Sequence, residues 1–310
     1  MENKLPIHPN TVVETSGKRN DVGFVQFLLD IKLLVKGKVL VANVMPVFAG
    51  FWLALQFTNQ SMSTYWPLFV ITIIGSTLVI SGALMLNNWY EVDLDKKMKR
   101  TKNRPTVTGH FSLKSVFWMG IAVSAIGFML MTLTTVEAFV YSFLGWFVYV
   151  FLYTFWSKRK YTLNTVIGSV SGAFTPLIGW AVIDSAFQTV PMIFALILFI
   201  WQVPHTLAIA IKRYEDYRAA GVPMLPVVYG IDMGKRVNFV YILSLLPFPI
   251  FLLPSMGILF VLFTVLLNLI WIVLALKGFS TDDDQKWAQH NLVFSLNYLF
   301  FMFLAAIFLA

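Results

Sequence analysis

The sequence of 310 residues contains no cysteine and few charged residues. Without cysteine, the chain can form neither disulfides nor thiolate metal sites, and it cannot attach haem covalently in the c-type manner. Charged residues make up only 12% of the chain, whereas soluble domains are about a quarter charged. Hydrophobic residues make up 58%. The composition therefore excludes an ordinary soluble domain and indicates a membrane protein.

Long apolar stretches predict nine membrane-spanning helices. The hydrocarbon layer requires about 20 apolar residues per helical span, and backbone groups in lipid must find their partners within the helix. The stretches that meet this requirement are roughly 39–57, 65–86, 115–134, 138–156, 165–183, 190–211, 237–254, 257–276 and 291–309. We therefore expect an all-α membrane protein in which nine transmembrane helices surround a central cavity.

The start of the chain differs in composition from the rest. Residues 1–20 are polar and contain no apolar stretch, so we expect a cytoplasmic tail without a cleavable signal peptide. Residues 21–36 mix apolar and charged side chains, which favours an amphipathic helix at the membrane surface leading into the first span. We predict that residues 21–310 form a single polytopic domain.

The predicted topology separates the basic residues onto one side of the membrane. All 23 Lys and Arg residues lie in the N-terminal tail, in connections on the same side, or at the helix ends bordering them. The connections on the opposite side carry only Glu137 and Asp184. The positive-inside rule then predicts a cytoplasmic N-terminus and an external C-terminus. The same separation explains the net charge of +8 without a nucleic acid partner.

The first long connection, 87–114, carries a candidate metal and diphosphate site. Asn87, Glu91 and Asp95 recur at every fourth residue, so on a helix they lie within an arc of about 80°. Their oxygens suit Mg²⁺, which binds few protein groups and usually bridges to substrate phosphates. The basic residues that follow are candidates to bind the remaining phosphate oxygens: Lys97, Arg100 and Arg104. A solvated loop that only fixes topology is the alternative interpretation.

The second long connection, 212–236, has a similar charge pattern. Glu215 and Asp216 are candidate ligands for a second metal, and Lys212 shares a helix face with Asp216 and is a candidate diphosphate ligand. The alternative is a solvated helix end. His205 lies inside the predicted sixth span, where an ionisable residue is a functional candidate. The alternative for His205 is a histidine that only bonds a neighbouring helix.

Four stretches, 87–105, 168–180, 204–205 and 215–227, resemble the motifs of the UbiA-type intramembrane prenyltransferases and, taken together, those of the haem O synthase branch. The likeness covers about residues 25–305. It departs from the family pattern where Glu91 and Glu215 stand in place of Asp, and where Thr and Leu follow His205 in place of Phe-Trp. Lys36-Gly37-Lys38 stands where Lys-Pro-Arg is common.

The resemblance implies a function and a set of site residues. We expect transfer of a farnesyl group from farnesyl diphosphate to the 2-vinyl group of haem B, with addition of water, giving haem O. It implies Mg²⁺ as cofactor, His205 in contact with haem, and haem A synthase as a candidate partner. The expected catalytic residues are Asn87, Glu91, Asp95 and Asp216. The expected location is the bacterial cell membrane, with the active site facing the cytoplasm.

Two other functions stay open from the sequence. One is a prenyltransferase of the same fold that acts on an aromatic quinone precursor. The other is a membrane transporter of anions or lipids. Transporters usually place ionisable groups near the middle of the membrane, whereas here these groups gather at one face.

Overall fold

The computed structural model describes residues 16–309, and within them it contains helices and no strand. Most of the predicted 1–20 tail therefore lies outside the described residues. The helices are α1 Ser16–Leu34, α2 Gly37–Phe57, α3 Met62–Tyr90, α4 Val92–Asp95, α5 Pro105–Thr108, α6 Leu113–Met131, α7 Val136–Ser157, α8 Asn164–Trp180, α9 Thr189–Lys212, α10 Tyr214–Ala220, α11 Leu225–Tyr229, α12 Ile231–Ser244, α13 Phe248–Phe251, α14 Leu253–Leu276 and α15 Asp284–Leu309.

Among the described residues, seven helices are long and apolar enough to cross a membrane: α2, α3, α6, α7, α9, α14 and α15. The prediction of an all-α, multi-pass membrane protein is therefore confirmed. The predicted spans 165–183 and 237–254 overlap α8 and α12, which are short helices of 17 and 14 residues, and α12 begins six residues before its predicted span. The count of nine spans and the orientation in the membrane stay predictions.

The predicted seventh span is interrupted for a local reason. Helix α12 ends at Ser244, and the chain turns before α14 begins. Pro247 and Pro249 lie in this stretch and lack the N–H that would continue a helix. Gly257 then adopts a φ of 76° and kinks the start of α14, a conformation that favours glycine.

Small residues allow the spanning helices to pack closely. A Cβ added at Gly82 of α3 would collide with Ser124 of α6, and one at Gly127 of α6 would collide with Val79 of α3. A Cβ at Gly179 of α8 would collide with the carbonyl oxygen of Val47 in α2. Close backbone approach at small residues is typical of helix pairs in membranes, so α3–α6 and α2–α8 form tightly packed pairs.

Helix α1 packs over one end of this bundle and covers most of the predicted amphipathic segment. Its Leu34 is fully buried, and the Leu34 carbonyl oxygen accepts a hydrogen bond of 2.5 Å from Asn88 Nδ2 at the end of α3. Asp30 is also buried, and its carboxylate lies 3.0 Å from His110 Nδ1. These contacts tie α1 to the connection that follows α3, while its place at the membrane surface stays a prediction.

The two long connections lie against one another at this same end. Leu94 and Met98 from the first connection form a buried cluster with Tyr217 and Val222 from the second. The backbone N–H of Lys99 donates a hydrogen bond of 3.2 Å to Asp216 Oδ1. The fold therefore brings together two motifs that are more than a hundred residues apart in the chain.

Candidate active site

The first motif occupies the last turn of α3 and the short helix α4. Asn87, Glu91 and Asp95 are buried, with exposed fractions of 1%, 4% and 2%. Although α3 ends at Tyr90, the N–H of Glu91 donates to Asn87 O at 3.0 Å and the N–H of Asp95 donates to Glu91 O at 2.9 Å. The spacing of four residues is thus kept, and Asn87 Nδ2 donates to Glu91 Oε1 at 2.9 Å.

Each buried carboxylate of this motif pairs with a cation. Lys158, just after α7, lies with its Nζ 2.5 Å from Glu91 Oε1 and 2.6 Å from Oε2. Arg104 Nη1 lies 2.5 Å from Asp95 Oδ2. All four side chains are largely buried, so neither charge is left unpaired in a region of low dielectric, where an unpaired charge is costly.

A third cation contacts the amide of the motif. Lys36, in the turn between α1 and α2, donates from Nζ to Asn87 Oδ1. Asn87 Nδ2 also donates to Thr154 Oγ1 of α7 at 3.0 Å, which fixes the orientation of the amide. Among the described residues, Lys36, Lys158 and Arg104 therefore bring three basic side chains to two carboxylates.

The pKa values reflect this crowding of charge. Burial lowers the pKa of Lys36 well below its ordinary value, and the charges of Arg104 and Lys158 lower it further. Burial would raise the pKa of Glu91, but Lys158 and Lys36 outweigh burial and the pKa is lowered. Burial would lower the pKa of Lys158, but Glu91 raises it above the ordinary value. Glu91 is thus an ionised carboxylate among cations, an arrangement that favours an additional anion.

A third ion pair fixes the rim of the site. The guanidinium of Arg159 donates to both oxygens of Asp93, at 2.8 and 2.7 Å, and to the carbonyl oxygen of Tyr90 at 2.8 Å. It also lies over the Tyr90 ring, 4.6 Å from the centroid. Because Arg159 follows Lys158 directly, this anchoring holds the end of α7 against the end of α3.

A cavity lies between α2, α3, α7 and α8, close to the motif. Ala83 of α3 lines it one helical turn before Asn87, and Tyr149 of α7 lines it close to Tyr153, with ring centroids 5.5 Å apart. Lys158 Nζ lies 5.4 Å from the centroid of Tyr153. The cavity therefore lies inside the bundle near the charged site, although the charged side chains do not line it.

The hydroxyl groups in this cavity are already bonded to their own helices. Ser76 donates to Ile73 O, Ser142 to Ala138 O, and Thr175 to Gly172 O. Back-bonding of this kind uses up the hydroxyl donor. The wall thus presents mainly apolar surface, which is usual in sites that hold apolar ligands.

The second motif differs from the first in exposure. The Glu215 side chain is 65% exposed and pairs with Arg218 of its own helix at 2.8 Å. Asp216 is half-buried and accepts the N–H of Lys99. Within residues 16–309, no group of three or more His, Cys, Asp or Glu side chains is close enough to hold a metal ion.

The oxygen ligands of the two motifs nevertheless fit Mg²⁺ that is bound together with a phosphate group. Mg²⁺ is usually held by one or two carboxylates together with substrate phosphates, and seldom by a complete protein cage. Carboxylate and amide oxygens of this kind are available in Asn87, Glu91, Asp95, Glu215 and Asp216. These residues therefore suit a metal that binds together with a phosphate ligand.

The remaining predicted site residues lie in different surroundings. Lys97 and Arg100 are exposed. Lys212 donates from Nζ to Gln289 Oε1 of α15 and does not contact the first motif. His205 lies with its Nδ1 2.8 Å from Ser295 Oγ of α15, the kind of bond to a neighbouring helix that the alternative interpretation describes.

Two cations of the site, Lys36 and Lys158, were not predicted from the sequence. They lie 51 and 67 residues from the residues they contact. The only local signal was their position, because each is a basic residue at the end of an apolar stretch.

The sequence matches the UbiA prenyltransferase family over residues 43–307. It is 51% identical over 301 residues to protoheme IX farnesyltransferase of Oceanobacillus iheyensis, an alignment that covers 97% of this chain and 96% of the relative. It is 46% identical over 278 residues to protoheme IX farnesyltransferase 2 of Bacillus subtilis, covering 90% of this chain and 91% of the relative.

Solved structures share the fold at low sequence identity. A structure of digeranylgeranylglyceryl phosphate synthase superposes with a TM-score of 0.70 at 15% identity, covering 90% of this chain and 97% of the other. A UbiA homologue from Archaeoglobus fulgidus, bound to GPP and Mg²⁺, superposes with a TM-score of 0.65 at 13% identity, covering 89% and 99%. With the family match over most of its length, the chain belongs to the UbiA prenyltransferase family.

Proposed function

We propose that this chain transfers the farnesyl group of farnesyl diphosphate to the 2-vinyl group of haem B, with addition of water, and so produces haem O for terminal oxidases. The substrates are then an amphipathic diphosphate and a porphyrin that partitions into membranes. Haem O would next be consumed by an enzyme that oxidises it, and haem A synthase is the proposed partner.

One observation above all others supports farnesyl diphosphate as the substrate that donates the farnesyl group. Lys36, Lys158 and Arg104 come from three separate parts of the chain and meet at Asn87, Glu91 and Asp95, one helical turn from the lining of a largely apolar cavity. A charged site close to an apolar cavity matches a ligand with a diphosphate head and an isoprenoid tail. The relatives named protoheme IX farnesyltransferase support the choice of acceptor and of chain length.

The residues of the first motif have distinct roles in this proposal. Lys36, Lys158 and Arg104 bind diphosphate oxygens by charge-assisted hydrogen bonds, and the exposed Lys97 and Arg100 attract the anion to the site. Glu91, Asp95 and Asn87 hold Mg²⁺ from the α3 side, and Asp216 and Glu215 hold metal from the second connection. Bound Mg²⁺ supplies neutralisation of the charge that develops on the leaving diphosphate.

The proposed reaction proceeds through an allylic cation. The bond between C1 of farnesyl and the diphosphate oxygen breaks, and the diphosphate leaves with the electron pair. The terminal carbon of the vinyl group donates its π electrons to C1, which leaves a cation on the inner vinyl carbon. Water adds its oxygen to that carbon and releases one proton, giving the hydroxyethylfarnesyl group.

The cavity protects the cation from premature reaction with water. Its wall is mostly apolar, and Trp146 and Tyr149 contribute aromatic surface. The electron-rich face of an aromatic ring stabilises a nearby cation. The farnesyl tail would occupy this cavity, with C1 close to Ala83, one turn below Asn87.

We further propose that the site faces the cytoplasm of a bacterial cell membrane. The support is the one-sided distribution of Lys and Arg in the predicted topology. A reporter enzyme fused after the last residue should be active outside the cytoplasm if the chain has nine spans and a cytoplasmic N-terminus. Activity of that fusion in the cytoplasm would contradict the topology.

The function is tested by expressing the chain in bacteria that make haem B but lack haem O synthesis. Extracted pigments should contain a haem whose mass exceeds that of haem B by one farnesyl group and one water. A prenylated quinone precursor in place of haem O would instead support the aromatic prenyltransferase. Uptake of an anion or lipid by vesicles, without any prenylated product, would support the transporter.

A further inference from the structure

Helix α9 carries three polar groups that contact α15. Trp201 Nε1 donates to Ser295 O at 2.8 Å, His205 bonds the Ser295 side chain, and Lys212 bonds Gln289. His205 and Lys212 are seven positions apart, so they lie on the same helix face at a separation of about 10 Å along the axis. These contacts therefore mark a polar seam between α9 and α15.

The hydrogen bonds of the seam determine which nitrogen of His205 carries the proton. Ser295 Oγ donates its single hydrogen to Leu292 O at 2.7 Å, so it accepts the bond from His205 Nδ1 at 2.8 Å. His205 is therefore protonated at Nδ1, and Nε2 has a free lone pair. Trp201 stacks on the imidazole, with ring centroids 4.7 Å apart and an angle of 20° between the planes.

No hydrogen bond uses that lone pair among residues 16–309. The bond at Nδ1 fixes the tautomer and the stacking of Trp201 fixes the ring plane, so Nε2 points in a defined direction. A neutral imidazole nitrogen held in this way is the usual axial ligand of haem iron.

Lys212 differs from most other half-buried cations in its partner. Within the described part of the chain it forms no ion pair, and its Nζ contacts the neutral amide oxygen of Gln289. Five basic residues near this end of the bundle pair with carboxylates, whereas Lys36, like Lys212, contacts a neutral amide. The five are Arg104, Lys158, Arg159, Arg218 and Lys235. The ammonium of Lys212 thus keeps hydrogen-bond donors available for an anion.

We propose that Lys212 binds a carboxylate of the haem acceptor and so determines how the porphyrin is oriented. This inference rests on the proposed function, because it takes haem B as the acceptor. In haem, one porphyrin radius and two methylene groups separate the iron from the carboxylate of a propionate. This distance is comparable with the distance along α9 from His205 to Lys212. The carboxylate edge then lies at the charged end of the bundle, and the vinyl edge lies in the apolar interior.

This assignment replaces the sequence-based expectation that Lys212 binds diphosphate. The three cations at the first motif are held there by Asn87, Glu91 and Asp95. Lys212 is instead fixed to α15. Two anions, the diphosphate and the haem carboxylate, would thus be recognised by separate basic groups.

The test compares haem B with its dimethyl ester, in which both carboxylates are blocked. The purified full-length protein is titrated with each compound, and the Soret band reports binding. Wild type should bind haem B about tenfold more tightly than the ester, since a charge-assisted bond is lost. Lys212→Gln should bind haem B as weakly as wild type binds the ester, while Lys212→Arg should keep the preference for haem B.

Two controls show whether the effect is specific to Lys212 and to haem. Arg213→Gln removes an exposed neighbouring cation and should leave both affinities unchanged. The KM for farnesyl diphosphate should be the same in Lys212→Gln and wild type. If wild type binds the ester as tightly as haem B, or if Lys212→Gln raises the KM for farnesyl diphosphate at unchanged haem affinity, the proposal is overturned. Absence of haem O formation by wild type would instead refute the proposed function.

Discussion

The two acidic motifs of this chain have a similar charge pattern but different surroundings. In the first, Glu91 and Asp95 are buried and pair with cations from other parts of the chain. In the second, Glu215 is exposed and pairs only with Arg218, one turn away on the same short helix. An exposed ion pair contributes little to the stability of a protein. Removing one partner of a buried ion pair strongly destabilises the protein, because the other charge stays buried without a partner.

This difference shows which half of the site is organised before substrate binds. The first motif is fixed by the packing of α3 against α7 and by Lys36 from the start of α2. The second is held near it by the N–H of Lys99 and the apolar cluster around Met98. We therefore expect the second motif to be completed only when a metal and a diphosphate bind.

The largest effect is expected for Asp95→Asn in the first motif. The substitution keeps the size of the side chain but removes the charge that faces Arg104 and the proposed metal ligand. Haem O formation should fall about a thousandfold, as measured by chromatography of extracted haems. Normal turnover in a correctly folded variant would refute the assignment of Asp95.

Variants of the ion pair between Glu91 and Lys158 can distinguish a role in stability from a role in the reaction. Lys158→Met should lower the free energy of unfolding by about 3–5 kcal/mol, because the Glu91 carboxylate loses its buried cation. Adding Glu91→Gln removes that charge and should restore most of the stability, as followed by thermal unfolding in detergent. The double variant should still be inactive. Recovery of activity together with stability would mean that the pair is only structural.

Within the second motif, Asp216 and Glu215 should differ. Asp216→Asn should lower turnover about a hundredfold and increase the Mg²⁺ concentration required for activity. Glu215→Gln should lower turnover less than Asp216→Asn, because the Glu215 side chain is largely exposed and pairs with Arg218 of its own helix. A titration of activity with Mg²⁺ compares the two. Equal losses in both variants would contradict the expected difference between the two residues.

The sequence predicted the parts of this structure that depend on local spacing. The four-residue repeat of Asn87, Glu91 and Asp95 and the long apolar stretches are properties of neighbouring residues, and the structure contains the corresponding helices. The break between α12 and α14 was less predictable, because the residues around Pro247 are as apolar as a spanning helix. A prediction made from the length of an apolar stretch takes no account of a proline or of a glycine that kinks the helix.

The parts that could not be predicted depend on contacts between distant residues. Nothing local to Lys158 distinguishes it from Lys160, yet Lys158 is buried against Glu91 and Lys160 is exposed. The tautomer of His205 likewise depends on Ser295, which is 90 residues away. A single sequence shows which side chains are present, but it does not show the tertiary packing that brings some of them together in the site.

The most direct test of the account is the reaction of the purified protein with haem B and farnesyl diphosphate in water enriched in oxygen-18. The account predicts a product that requires Mg²⁺, carries one farnesyl group, and contains one heavy oxygen atom in its hydroxyl group. The Asp95→Asn variant should form this product about a thousandfold more slowly. A wild-type preparation that binds both substrates but returns haem B unchanged would contradict the central claim.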